Sequence, residues 1–102
     1  MPFAHAQPNL AAAAARQWRA AHQQAILAEF MELLAIPNLA SDQPNIRRNA
    51  AAVSALFEKR GVKTRLLEVP GSPPVVYGEI DSPNAARTVV FYAHYDGQPL
   101  DP

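Results

Sequence analysis

The spacing of apolar residues changes along the chain, and each change predicts an element. Trp18, Ala21, Ala25, Ile26, Phe30, Leu33 and Leu34 recur at threes and fours, with Arg16, Arg19, Gln23, Gln24 and Glu32 elsewhere. This is the pattern of a long helix with one apolar stripe. Asn9 stands at an N-cap position ahead of an alanine run. Pro37 closes the helix, because it disfavours helical geometry at Ile36 and donates no hydrogen bond itself. Ile46, Ala50, Val53, Leu56 and Phe57 predict a second amphipathic helix after a polar loop from Asn38 to Asn45. Lys59 and Arg60 suit its last turn, and Gly61 suits the left-handed residue just beyond it.

From Val62 the period falls to two. Val62, Thr64 and Leu66 alternate with Lys63 and Arg65, the pattern of a half-exposed strand. Pro70-Gly-Ser-Pro-Pro74 predicts a turn, and Val75-Val-Tyr-Gly-Glu-Ile80 a second strand with Gly78 as a weak point or bulge. The short connection favours an antiparallel hairpin. Asp81-Ser-Pro-Asn84 turns the chain again. Thr88-Val-Val-Phe-Tyr-Ala93 is then apolar or β-branched without alternation, as in a strand covered on both faces of a sheet. The expected class is α/β, a partial three-layer α/β/α sheet of two helices, a hairpin and a buried central strand. Trp18 and Phe30 are its expected core anchors.

Composition narrows the function classes. The 102 residues make one small domain at most. Nine basic and nine acidic residues balance, and neither sign forms a block, so nucleic acid and anionic membranes are not expected partners. No apolar run approaches a membrane span. With no cysteine, any bound metal would have to be held by imidazole and carboxylate. Ala4-His5-Ala6 matches a signal-cleavage pattern without the segments that normally precede it. A remnant of export to the periplasm or exterior and an arbitrary alanine-rich leader of a cytoplasmic protein both remain open. Residues 1–16 are expected to be this leader or the start of the first helix, and 17–102 the domain. Pro99-Leu-Asp-Pro102 reads as an unfinished loop, so a fragment of a longer chain is expected.

The chemistry gathers where the apolar run stops. His94 and Asp96 follow it at once, with Gly97 and Pro99 as turn residues. Ends of strands are where α/β sheets collect ligands. Residues two apart in extended backbone project to the same side, and a metal-binding histidine commonly donates its second ring N–H to a carboxylate. His-x-Asp can therefore supply a ligand and its orienter. A structural alternative stays open, in which His94 caps a carbonyl and Asp96 forms an Asx-turn into Gly97.

Val89-Val-Phe-Tyr-Ala-His94-Tyr-Asp96-Gly-Gln-Pro99 also resembles the first metal-binding motif of the M20 metallopeptidases, the zinc aminoacylases, carboxypeptidases and dipeptidases. Leu33-Leu-Ala-Ile-Pro37 and Lys59-Arg-Gly-Val62 are similar to phrases that precede it in that family, so the likeness spans about residues 17–102. The resemblance implies an α/β/α domain with two divalent ions, usually zinc, acting on a peptide or N-acyl amino acid. A homodimer of the full-length protein is compatible with it. It makes His94 a direct ligand of one metal and places Asp96 in the catalytic site, orienting the imidazole. Gly97 departs from the valine common at its position, a small departure not expected to abolish binding. The bridging Asp, the Glu base with its acidic neighbour and the second His of the family have no match in this sequence. The 102 residues alone are thus expected to be inactive and to bind zinc weakly. The His94-Tyr-Asp-Gly-Gln-Pro99 phrase is most like the dipeptidase branch.

Other residues have plainer readings. His22, four residues from both Trp18 and Ile26, is expected at a partly buried boundary, and His5 has no expected metal role. Tyr95 is expected to pack on the face opposite His94 and Asp96. The pairs Arg47-Arg48 and Lys59-Arg60 read as solvated helix surface, and Gln98 and Asp101 could border a substrate cleft. The alternative to an enzyme is a non-catalytic α/β interaction module. A nucleotide-binding domain is disfavoured because no Gly-rich phosphate loop follows a strand.

Overall fold

The structure, a computed structural model, describes residues 9–100. Ala4-His5-Ala6 and Asp101 lie outside them. The chain divides into two compact units with the boundary between Glu32 and Leu33.

The first unit carries most of helix α1, Leu10–Leu34. Asn9 caps it as expected, its side-chain oxygen accepting from the Ala12 N–H at 3.0 Å. The expected core anchors are not buried. Trp18 is 54% exposed and Phe30 53%, and no residue of α1 is buried. His22 is likewise exposed rather than at a buried boundary. Its ring stacks on Trp18 with centroids 4.2 Å apart, while Nδ1 lies 2.7 Å from the Trp18 carbonyl oxygen. A stripe supplies the means to bury a helix face, but burial itself needs a facing layer.

The second unit is a small α/β assembly of α2 (Gln43–Glu58), β1 (Lys63–Leu67) and β2 (Val75–Glu79), packed against one another. Helix α2 begins one turn earlier than the apolar spacing predicts. Asp42 caps it, accepting from the Asn45 N–H at 3.2 Å, and a proline sits in its first turn. At the other end Gly61, at φ +78°, donates to Glu58 O and Val62 donates to Phe57 O. These paired bonds form the Schellman closure that Gly61 predicts.

The strands pair antiparallel, Lys63 with Glu79 through to Leu67 with Val75. At the turn between them Ser72 donates to Val69 O, and Gly71 takes φ +81° after Pro70, the pattern of a type II turn. Gly78 pairs regularly with Thr64 instead of forming a bulge. Its missing side chain has a packing role, since a Cβ there would lie 3.0 Å from Val62 Cγ1 and 3.6 Å from the Phe57 ring. The outer face carries Arg65 over the Tyr77 ring, 4.8 Å from its centroid. The centre of the unit is Ile46 and Ala50 of α2, with Asn49 between them and Pro74 also buried.

The buried central strand is the main correction. Thr88–Ala93 forms no strand and pairs with none, and Val89, Val90, Phe91 and Tyr92 are 71%, 84%, 92% and 84% exposed. A strand apolar on both faces needs neighbours along its edges and layers above and below. Among the described residues the sheet has two strands, and neither pairs with this run.

Candidate functional site

His94 and Asp96 come together as their spacing predicts. His94 Nδ1 lies 3.0 Å from Asp96 Oδ1, with 72% of the imidazole and 38% of the carboxylate side chain exposed. An ionised carboxylate only accepts hydrogen bonds, so the ring proton belongs on Nδ1. The lone pair is then left on Nε2. Among the described residues the side-chain bond found for His94 is the one to Asp96, the dyad arrangement. The Tyr92 ring meets the His94 ring edge-on, centroids 5.6 Å apart.

The intervening and following residues are held differently. Tyr95 is half-buried and its hydroxyl donates to the carbonyl of buried Pro74. It thus packs away from His94 and Asp96, as alternation along an extended segment requires. Burial raises the Tyr95 phenol above its ordinary value; the charge of Asp96 adds to the rise and Arg47 opposes it. Gly97 donates its N–H to Asn38 O at 2.9 Å, forming a lone parallel bridge with the Leu39 position. The space beside Gly97 is taken. A Cβ there would overlap Asn38 Oδ1, so the Asn38 amide fills the volume a side chain at 97 would need. That accounts locally for glycine in place of the valine of the resembled motif.

Asn38 is tied in turn to α2. Asn49, 2% exposed, donates from Nδ2 to Pro37 O at 2.7 Å and to Asn45 O at 3.0 Å. Asn38 and Asn49 did not stand out in the sequence. The available signal was Asn49 itself, a polar residue set between Ile46 and Ala50 on the apolar face of α2. Arg47, read as solvated surface, is exposed and pairs with Glu68 at 2.6 Å. His22 lies on α1 and is bonded within its own helix.

The fit to a metal is partial. His94 and Asp96 suit one ligand and its orienter, yet among the described residues no three His, Asp or Glu side chains are grouped to hold an ion. Catalytic zinc sites commonly use three protein ligands. Comparison of the chain with family models, curated proteins and solved structures gave no match in any of the three.

Proposed function

We propose that these residues are the amino-terminal part of a metal-dependent amide hydrolase of the M20 type, a dipeptidase or a relative acting on N-acyl amino acids. The observation that carries the reading is the 3.0 Å His94–Asp96 bond beside an exposed imidazole. It leaves Nε2 as the free donor of a preset ring, which is how carboxylate–histidine–metal triads are arranged. The motif resemblance supplies the reaction class, and the α/β unit of α2 and the hairpin is compatible with the edge of a larger α/β/α layer.

In this reading His94 would hold one of two divalent ions, zinc being the expected metal. Such ions lower the pKa of a bound water so that it can attack an amide carbonyl. The chain's own contribution is orientation. Asp96 retains the Nδ1 proton and keeps the ring from turning its lone pair inward. The remaining donors and a carboxylate base fall to other parts of a longer protein, so the isolated chain is inactive and binds zinc weakly.

Zinc titration of the 102-residue chain, followed by ring nitrogen shifts of His94 and His22, tests this. The expected result is a weak response at His94 Nε2 that His94→Ala removes. Zinc that leaves His94 unmoved, binds it stoichiometrically below micromolar concentration, or elicits peptidase turnover from the chain alone overturns the proposal. The second reading, a non-catalytic interaction module, draws on the open apolar run Val89–Tyr92. An unmoved His94 favours it.

A further inference from the structure

The dyad is too exposed to order itself. A side-chain pair this open competes with water on nearly equal terms, and holding two rotamers costs entropy. The arrangement therefore needs support from the backbone that carries it. Burial along this backbone alternates, with His94 and Asp96 exposed and Tyr95 and Gly97 half-buried. Both half-buried residues are fastened to groups remote in sequence. Tyr95 donates to Pro74 O across 21 positions, and Gly97 donates to Asn38 O. Asn38 follows Pro37, whose carbonyl accepts from Asn49. Asn49 is the only buried polar residue among those described, and it lies beside Ile46 and Ala50 on the best-packed turn of the chain.

We infer that Asn49 and Tyr95 are positioning residues for the His94–Asp96 dyad. They grip the segment at residues 97 and 95 from behind, so that residues 94 and 96 project together on the free side. Asn49 acts through Pro37, Asn38 and the Gly97 N–H; Tyr95 acts directly through Pro74. Exposure alternates residue by residue from His94 to Gly97, with a bend at Asp96, so fixing Tyr95 and Gly97 leaves the two side chains between and beside them on the free side. With no Cβ at 97, the Gly97 backbone lies directly against Asn38, whose amide occupies the room a side chain would need and whose carbonyl accepts the Gly97 N–H. A larger residue at 97 would push the grip open.

The consequence is a tautomer preference, which can be read without metal. In the full chain, with the imidazole neutral, long-range proton–nitrogen NMR of His94 should show the Nδ1–H form dominant. Asp96→Ala sets the released baseline. Tyr95→Phe, which removes one oxygen atom, and Asn49→Leu, which keeps the branched heavy-atom shape and removes the donor, should each move the Nδ1–H to Nε2–H ratio several-fold toward that baseline. His22, bonded within α1, serves as the internal control and should not change. A His94 ratio equal to wild type in both variants overturns the inference. If Asn49→Leu loses the α2 amide pattern, Tyr95→Phe decides alone, and a wild-type ratio there overturns it.

The inference rests on the metal reading only in a second arm. Zinc titration of the same variants should then show about tenfold weaker binding at His94 Nε2, at the low end of what loss of an orienting partner costs. If zinc leaves wild-type His94 unmoved, the metal reading fails while the tautomer ratio still decides the positioning role. If the ratio is unchanged and zinc binds His94 equally in all chains, the positioning role fails and the metal reading stands.

Discussion

Thr88–Ala93 and His94–Gly97 are adjacent in sequence, yet they are held in different ways. The first is apolar or β-branched throughout, with side chains up to 92% exposed and no strand beside it. The second is polar and glycine-containing, yet fastened at Tyr95 to Pro74 and at Gly97 to Asn38. Hydrophobicity alone does not order a segment; it needs a surface to meet. Two directed hydrogen bonds, donated by Tyr95 to the buried Pro74 carbonyl and by Gly97 to the half-buried Asn38 carbonyl, fasten four residues where six apolar or β-branched ones stay open.

The contrast can be tested by truncation. Ile46, fully buried under the anchors, should lose about 2–5 kcal/mol of unfolding free energy on Ile46→Ala, whereas Phe91→Ala should change it by less than about 0.5 kcal/mol. Chemical denaturation measures both, and similar costs would mean the run is packed in solution. Next in size is Gly97→Val, which must turn the Asn38 amide aside and should cost about 1 kcal/mol. Adding Asn38→Ala should recover a good part of that loss, and additive costs in the double variant would refute the steric account.

A smaller effect follows from Tyr95. Its folded-state value is raised, so the neutral phenol is the favoured form in the native chain. The contribution is present below the unfolded value of about 10 and is lost as pH rises through the higher native one. Tyrosinate absorbance should show a late component above the ordinary tyrosine range that Tyr95→Phe reduces, leaving the part due to Tyr77, which its bond to Glu79 also raises. Least in stability is Val90→Lys, again within about 0.5 kcal/mol. Its effect lies in association: six uncharged residues of high strand propensity without proline favour pairing between chains. Light scattering against concentration should fall in that variant, and unchanged scattering would remove the run from any role in association.

The same contrast explains what could be read from residues alone. Helix α2 and the hairpin were legible because their signals are local: the Ile46–Ala50–Val53 spacing, the Gly61 closure and the Pro70-Gly71 turn. The start of α2 was hidden because Asp42 lies in a loop-like run of Ser, Asp, Gln and Pro. The dyad was legible because two residues at spacing two are within reach of each other through local backbone alone. Burial of Trp18, Phe30 and residues 88–93 was not, because an apolar pattern states a capacity for packing and says nothing of whether a partner is in place. The grip on the dyad was equally invisible, since Asn38 and Asn49 act across long separations through backbone carbonyls.

Asn38 and Gly97 share one small volume, which only one of them can fill. A change at either position is then conditional on the other, and the two should vary together as chains of this kind diverge. A lineage with valine at the position of Gly97 is expected to carry a smaller residue, or a shifted loop, at the position of Asn38. A side chain at 97 beside Asn38 fits only as far as the Asn38 amide turns aside, so the two positions share one conformational degree of freedom.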